Sequence, residues 1–177
     1  MRVVLVGYRG TGKTTVGQIL AEALKWPFID TDPLIELRAH LSISDIFARL
    51  GEPAFRDLES AVIADLAETD PAVIAVGGGA VLRPQNLPCL RANSLVVWLT
   101  ASPETLYKRM AGDATTASRR PSLTGLAGLE EIRRLLDVRE PYYHSAAHMA
   151  LDTETYTPRE VAERILQRVR ETTGDKG

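Results

Sequence analysis

The stretch Gly7-Tyr8-Arg9-Gly10-Thr11-Gly12-Lys13-Thr14 constrains this chain more than any other segment. It follows the apolar run Val3 to Val6, which reads as a strand buried on both faces. After it, apolar residues recur at helical spacing: Val16, Ile19, Leu20, Ala23 and Leu24. Strand, glycine-rich loop and helix in that order form the context that makes a phosphate-loop match specific. Glycines let backbone N–H groups turn inward around phosphate oxygens, and a helix N-terminus adds partial positive charge. The pattern therefore assigns Gly10, Thr11, Gly12, Lys13, Thr14 and Thr15 to a nucleoside triphosphate. Lys13 is placed on the β- and γ-phosphates, and the Thr14 hydroxyl on Mg²⁺.

Beyond the loop, strands and helices alternate. Pro27-Phe28-Ile29 reads as a second strand, Val73 to Val76 as a third, Leu95 to Leu99 as a fourth and Met149 to Leu151 as a fifth. Helical segments are predicted over 33–50 and 52–68, with Ser44 as a cap and Pro53 in a first turn. Further helices are predicted from Ser102-Pro103 to Ala111, up to His144, and from Thr157-Pro158 to just before Gly174. Apolar strands alternating with helices predict an α/β fold: a doubly wound, five-stranded parallel sheet with helices on both faces. A length of 177 residues fits a single domain. Residues 112–124, polar and punctuated by Gly112, predict a mobile lid.

Composition narrows the function classes. A net charge of -2 gives no global reason to expect nucleic acid or an anionic membrane as partner. No apolar run approaches the roughly 20 residues of a membrane span. The lone Cys89 suits a reducing compartment, so a cytoplasmic location is expected, and a monomer with it. Cys89 itself reads as a small, partly buried side chain. His40, His144 and His148 show no metal-ligand spacing, and Trp26 and Trp98 follow apolar patterns that suit a core. There is no Asn-Lys-x-Asp and no Asp-x-x-Gly, which argues against a GTPase switch. The third strand ends in Gly77 where a motor ATPase would often carry an aspartate, so another acid must help hold the metal.

Asp30 and Asp32 end the second strand, on the sheet edge where ligands of parallel sheets bind. In extended chain their side chains point the same way. One suits Mg²⁺, and the other an acceptor hydroxyl whose proton it takes. A turn and helix cap is the competing reading. Arg56 and Glu59, three apart on a predicted helix, form either an exposed ion pair or a brace that aims Arg56 at an anionic substrate. Gly77-Gly78-Gly79 fits a place where a ligand approaches the main chain closely. Arg119-Arg120 lies in the lid, where an arginine can neutralise charge gathered in phosphoryl transfer. Arg139 could supply a second contact to an acidic substrate.

Together these motifs resemble the shikimate kinases along nearly the whole length. The residues that carry the resemblance are Gly7 to Thr14, Asp30-Thr31-Asp32, Gly51-Glu52-x-x-Phe55-Arg56-x-x-Glu59, Val76-Gly77-Gly78-Gly79, Arg120-Pro121-x-Leu123 and Arg139-x-x-x-Tyr143. Arg120 to Gly125 looks more like the second enterobacterial type than the first. The resemblance implies a fold like the nucleoside monophosphate kinases, with a lid. It implies ATP and shikimate as the substrates, and ADP and shikimate 3-phosphate as the products. By the same carry-over, Thr14 and Asp30 serve Mg²⁺ and Asp32 holds the shikimate hydroxyls. Arg56 and Arg139 grip the carboxylate, and Gly77, Gly78 and Gly79 line the substrate pocket. Arg120 closes over the phosphates with Lys13, and Arg109 stacks on adenine. Two alternatives stay open from the residues alone: a kinase of another small acid such as gluconate, and a regulatory nucleotide-binding module without catalysis.

Overall fold

A computed structural model of the chain describes residues 1–112 and 128–174. Strand β1 (Arg2–Val6) is buried at every residue and occupies the middle of the sheet. Around it lie β2 (Phe28–Asp30), β3 (Ala72–Ala75), β4 (Ser94–Thr100) and β5 (Met149–Asp152). The order is β2-β3-β1-β4-β5 and every pairing is parallel. Both faces of this sheet carry apolar side chains, because strand residues alternate sides with a period of two. Val3, Leu5, Val97 and Leu99 pack with Val16 and Leu20 of α1 (Lys13–Leu24) and with Val161 and Ile165 of the last helix, α7 (Pro158–Thr173). Val4, Val6, Ile74 and Val96 turn to the other side. There they meet Ile63 of α3 (Ile43–Asp65), Leu90 of α4 (Asn86–Arg91) and Tyr143 and Ala146 of α6 (Leu129–Ala146).

Helix starts follow local chemistry. Ser102 caps α5 (Pro103–Ala111), and Thr157 with Glu160 forms a reciprocal capping box on α7. The predicted segment 33–50 is in fact two helices. Asp30 caps α2 (Thr31–Ala39), which then stops at His40 in a left-handed conformation with φ 52°. No glycine or proline marks that break. The predicted cap Ser44 is corrected to Ser42, whose hydroxyl accepts the Asp45 N–H at 3.0 Å, while Ser44 sits inside the first turn. Helix α3 runs past the expected stop at 51, with a kink at Gly51 (φ 83°, ψ 169°), a conformation open essentially to glycine alone. Pro53 follows in the first turn after the kink. Short helix α4 was not anticipated. Buried Asn86 anchors it by donating to the Ala80 carbonyl at 2.8 Å.

Cys89 is a partly buried free thiol against one face of the core, and Trp26 and Trp98 pack partly buried against the two faces. His40 and His144 are exposed. His148 is exposed too, but it is tied to β4: its Nδ1 accepts the Val96 N–H at 2.9 Å, and its backbone N–H donates to the Val96 carbonyl at 2.8 Å. Among the described residues no helix is long and apolar enough to cross a membrane, and no cluster of His, Cys, Asp or Glu is built for a metal by itself.

Candidate active site

The loop after β1 folds as its glycines dictate. Gly10 and Gly12 take positive φ values of 80° and 89°, and Gly12 caps α1. Thr11 is buried, and its hydroxyl donates to the Tyr8 carbonyl at 2.8 Å, so its side chain shapes the loop. Lys13 Nζ donates to the carbonyls of Gly7 and Tyr8, each at 2.8 Å. Thr14 and Thr15, in the first turn of α1, expose their side chains.

Asp30 and Asp32 stand at the carboxyl end of β2, on the loop's edge of the sheet. Their expected geometry is corrected. The chain between them is not extended, because helix α2 begins at Thr31, and the Asp30 carboxylate accepts the Asp32 N–H at 3.0 Å. The capping reading of Asp30 therefore holds. It serves the site as well, since it fixes Asp32 in the first turn of α2, where a helix N-terminus favours a carboxylate.

The pair on α3 is not an exposed one. Arg56 is 6% exposed and Glu59 0%, and Arg56 donates to Glu59 at 2.7 Å. Glu52, one turn earlier, accepts from Arg56 Nη2 at 3.1 Å and Nε at 3.3 Å. Burial works against the Arg56 charge, but Glu59 and Glu52 outweigh it and hold the guanidinium more firmly protonated than usual. Glu52 was missed as a partner, although its spacing four residues before Arg56 is a visible helical pairing signal.

Arg139 on α6 is 5% exposed, and its guanidinium lies 5.4 Å from the centroid of the Tyr8 ring. The glycine triplet runs between the two arginines. A methyl placed on Gly79 would fall 2.3–2.4 Å from the Arg56 guanidinium. One on Gly78 would stand 3.3 Å from both Arg139 Nη1 and the Gly7 carbonyl, and 3.4 Å from the Tyr143 hydroxyl. Gly77, partly buried, ends the strand side of this ledge. The close approach expected of a ligand is thus already made by the arginines. Tyr143 donates to the Gly78 carbonyl and stacks on Trp98 at 5.6 Å. Burial, eased by the nearby Arg139, pushes its phenol up to about 12.

On the other flank, Arg109 of α5 donates to the Gly10 carbonyl at 3.2 Å and to the side chain and carbonyl of Thr153, each at 2.8 Å. Arg120 and most of the expected lid, 113–124, lie outside the described residues. The structure thus brings Lys13, Arg56, Arg139, Gly78 and Gly79 onto one edge of the sheet, joined through Gly7 and Tyr8.

A phosphate loop after the central strand of a five-stranded parallel sheet, with charged residues of α2, α3 and α6 brought to the same edge, is the architecture of a P-loop kinase. The family described as SKI: Shikimate kinase matches residues 9–170. A curated shikimate kinase of Symbiobacterium thermophilum is 45% identical over 177 residues, covering 100% of both chains. One of Rhodopirellula baltica is 41% identical over 163 residues, covering 92% of this chain and 87% of its own. The solved shikimate kinase from Acinetobacter baumannii in complex with shikimate superposes with a TM-score of 0.87 at 34% identity, covering 99% of this chain and 95% of that one. This chain belongs to the shikimate kinase family. A gluconokinase from Sinorhizobium meliloti, at 20% identity and a TM-score of 0.60, shares the fold.

Proposed function

We infer that the protein transfers the γ-phosphate of ATP to the 3-hydroxyl of shikimate, giving shikimate 3-phosphate and ADP on the route to the aromatic amino acids. The observation that carries this reading is the pair of buried guanidinium groups, Arg56 and Arg139, flanking bare glycine backbone beside the phosphate loop. Two planar forks at one wall suit a carboxylate, and the glycines leave both guanidiniums room to lie against the main chain. Glu59 and Glu52 orient Arg56. Asp32, fixed at the start of α2, holds the acceptor hydroxyls and stands ready to take the proton released as the new P–O bond forms.

On the donor side, the loop N–H groups and Lys13 cradle the phosphates, and Arg109 flanks the adenine. For Lys13 this means exchanging the carbonyls of Gly7 and Tyr8 for phosphate oxygens. Mg²⁺ fits the residues present: a small cation that keeps several waters needs only the Thr14 hydroxyl and the Asp30 carboxylate from the protein. Bound there with ATP, it would neutralise charge on the phosphates. We assign the closing contact to Arg120 in the lid, and we place the enzyme in the cytoplasm as a monomer.

The test is ADP release from Mg-ATP with shikimate, gluconate, adenosine monophosphate or no acceptor. Release that depends on shikimate alone is expected. Release with another acceptor would void the roles given to Arg56 and Arg139. No release from folded protein that binds ATP would point to a regulatory module.

A further inference from the structure

Tyr8 is the second residue of the phosphate loop, yet it is 1% exposed and its ring touches the acceptor side. Its carbonyl accepts from Lys13 Nζ and from the Thr11 hydroxyl, both at 2.8 Å. Its ring lies under the Arg139 guanidinium and packs with Leu106 of α5 and Ile132 and Leu136 of α6. The hydroxyl of Tyr8 and Nε of Arg139 have no hydrogen-bond partner among the described residues, though both are buried. Arg139 is therefore held in part by the face of an aromatic ring, which attracts a desolvated cation. The next residue back closes a second link: the Gly7 carbonyl also accepts from Lys13, and it lies against Gly78, whose own carbonyl binds Tyr143.

We propose that Tyr8 is a positioning residue that seats Arg139 for the acid substrate and ties that seat to the phosphate-binding lysine. This rests on the reading that Arg139 grips the substrate carboxylate. The ring is too enclosed to move without Arg139 and the α5–α6 contact moving with it. Drawing Lys13 Nζ toward phosphates changes the hydrogen bonding of the Tyr8 carbonyl. Nucleotide occupancy is thereby felt at the acid site. The contact that seats the arginine is the ring face, not the hydroxyl.

Two variants separate these parts. Tyr8→Leu keeps apolar bulk and removes the ring face; Tyr8→Phe keeps the face and removes the hydroxyl. Shikimate Kd is measured by calorimetry with and without saturating Mg-ADP, alongside Mg-ADP Kd, kcat and Tm. In Tyr8→Leu we expect shikimate Kd to rise about tenfold, from loss of a desolvated cation–ring contact. Mg-ADP Kd should stay within about twofold, and the ratio of shikimate Kd with and without Mg-ADP should move to about one. Tyr8→Phe should match the wild type in all of these. An unchanged shikimate Kd in Tyr8→Leu overturns the proposal. So does equal loss of both ligands with a fallen Tm, which marks a merely structural residue, or a wild-type Kd ratio already at one. If wild-type protein binds Mg-ADP but not shikimate, it is the underlying substrate reading that fails instead.

Discussion

At the scale of single residues, the acceptor wall is defined by what is missing from it. Gly79 has a φ of -98° that any residue can adopt, so Gly79→Ala should fold. Its methyl would fall within 2.4 Å of the Arg56 guanidinium, so the arginine must shift. We expect shikimate KM to rise at least tenfold with ATP KM nearly unchanged, and Tm to fall because the buried Arg56–Glu59 pair is disturbed; steady-state kinetics with each substrate varied and a thermal melt will check it. Tyr143 gives a pH signature. Its folded-state value of about 12 lies above the ordinary phenol value of 10, so its stabilising contribution is full below pH 10 and is lost as pH rises toward 12. The loss should reach about 3 kcal/mol in urea titrations at alkaline pH, and Tyr143→Phe should lack this component. Residue types and spacings announced the arginines, the acids and the glycines. They did not announce that Arg56 and Glu59 are buried, or that Tyr8 faces Arg139. Both depend on which helix faces pack together, and no local pattern encodes that for residues 131 positions apart.

The elements show where local signals suffice and where they fail. The boundaries of α1, α5 and α7 were legible because a glycine loop, Ser102-Pro103 and Thr157-Pro158 are strong starts. The break between α2 and α3 was not, because His40 turns the chain in a left-handed conformation that glycine or asparagine would have advertised. Helix α4 is too short to show a period. At Gly51 the sequence promised an ending and the structure gives a bend, after which α3 carries Glu52, Arg56 and Glu59. Gly51→Ala should cost about 1–3 kcal/mol in denaturant unfolding, since its backbone geometry is strained for any side chain. It should also weaken shikimate binding more than ATP binding, because the bend aims those residues. Equal loss of both ligands would show that the bend serves stability alone.

For the whole molecule, the sheet order places the nucleotide loop on the central strand and the acceptor side around its carboxyl edge, so one rigid β-sheet sets both. On that frame Lys13 Nζ donates to the carbonyls of Gly7 and Tyr8. Lys13→Ala should abolish turnover in a coupled ADP assay while far-UV circular dichroism and Tm stay near wild type. A folded variant turning over at the wild-type kcat would remove the lysine from the mechanism. The glycine ledge at 78 and 79 bears on a different question, how such an enzyme can change under selection. An inhibitor laid against that ledge would meet the two guanidiniums that cover it as well as main chain. A replacement at 79 that blocked it would bring its own side chain into Arg56, the arginine to which we assign the substrate carboxylate. Resistance along this wall is therefore tied to loss of the substrate, and escape must come from the helices on either side.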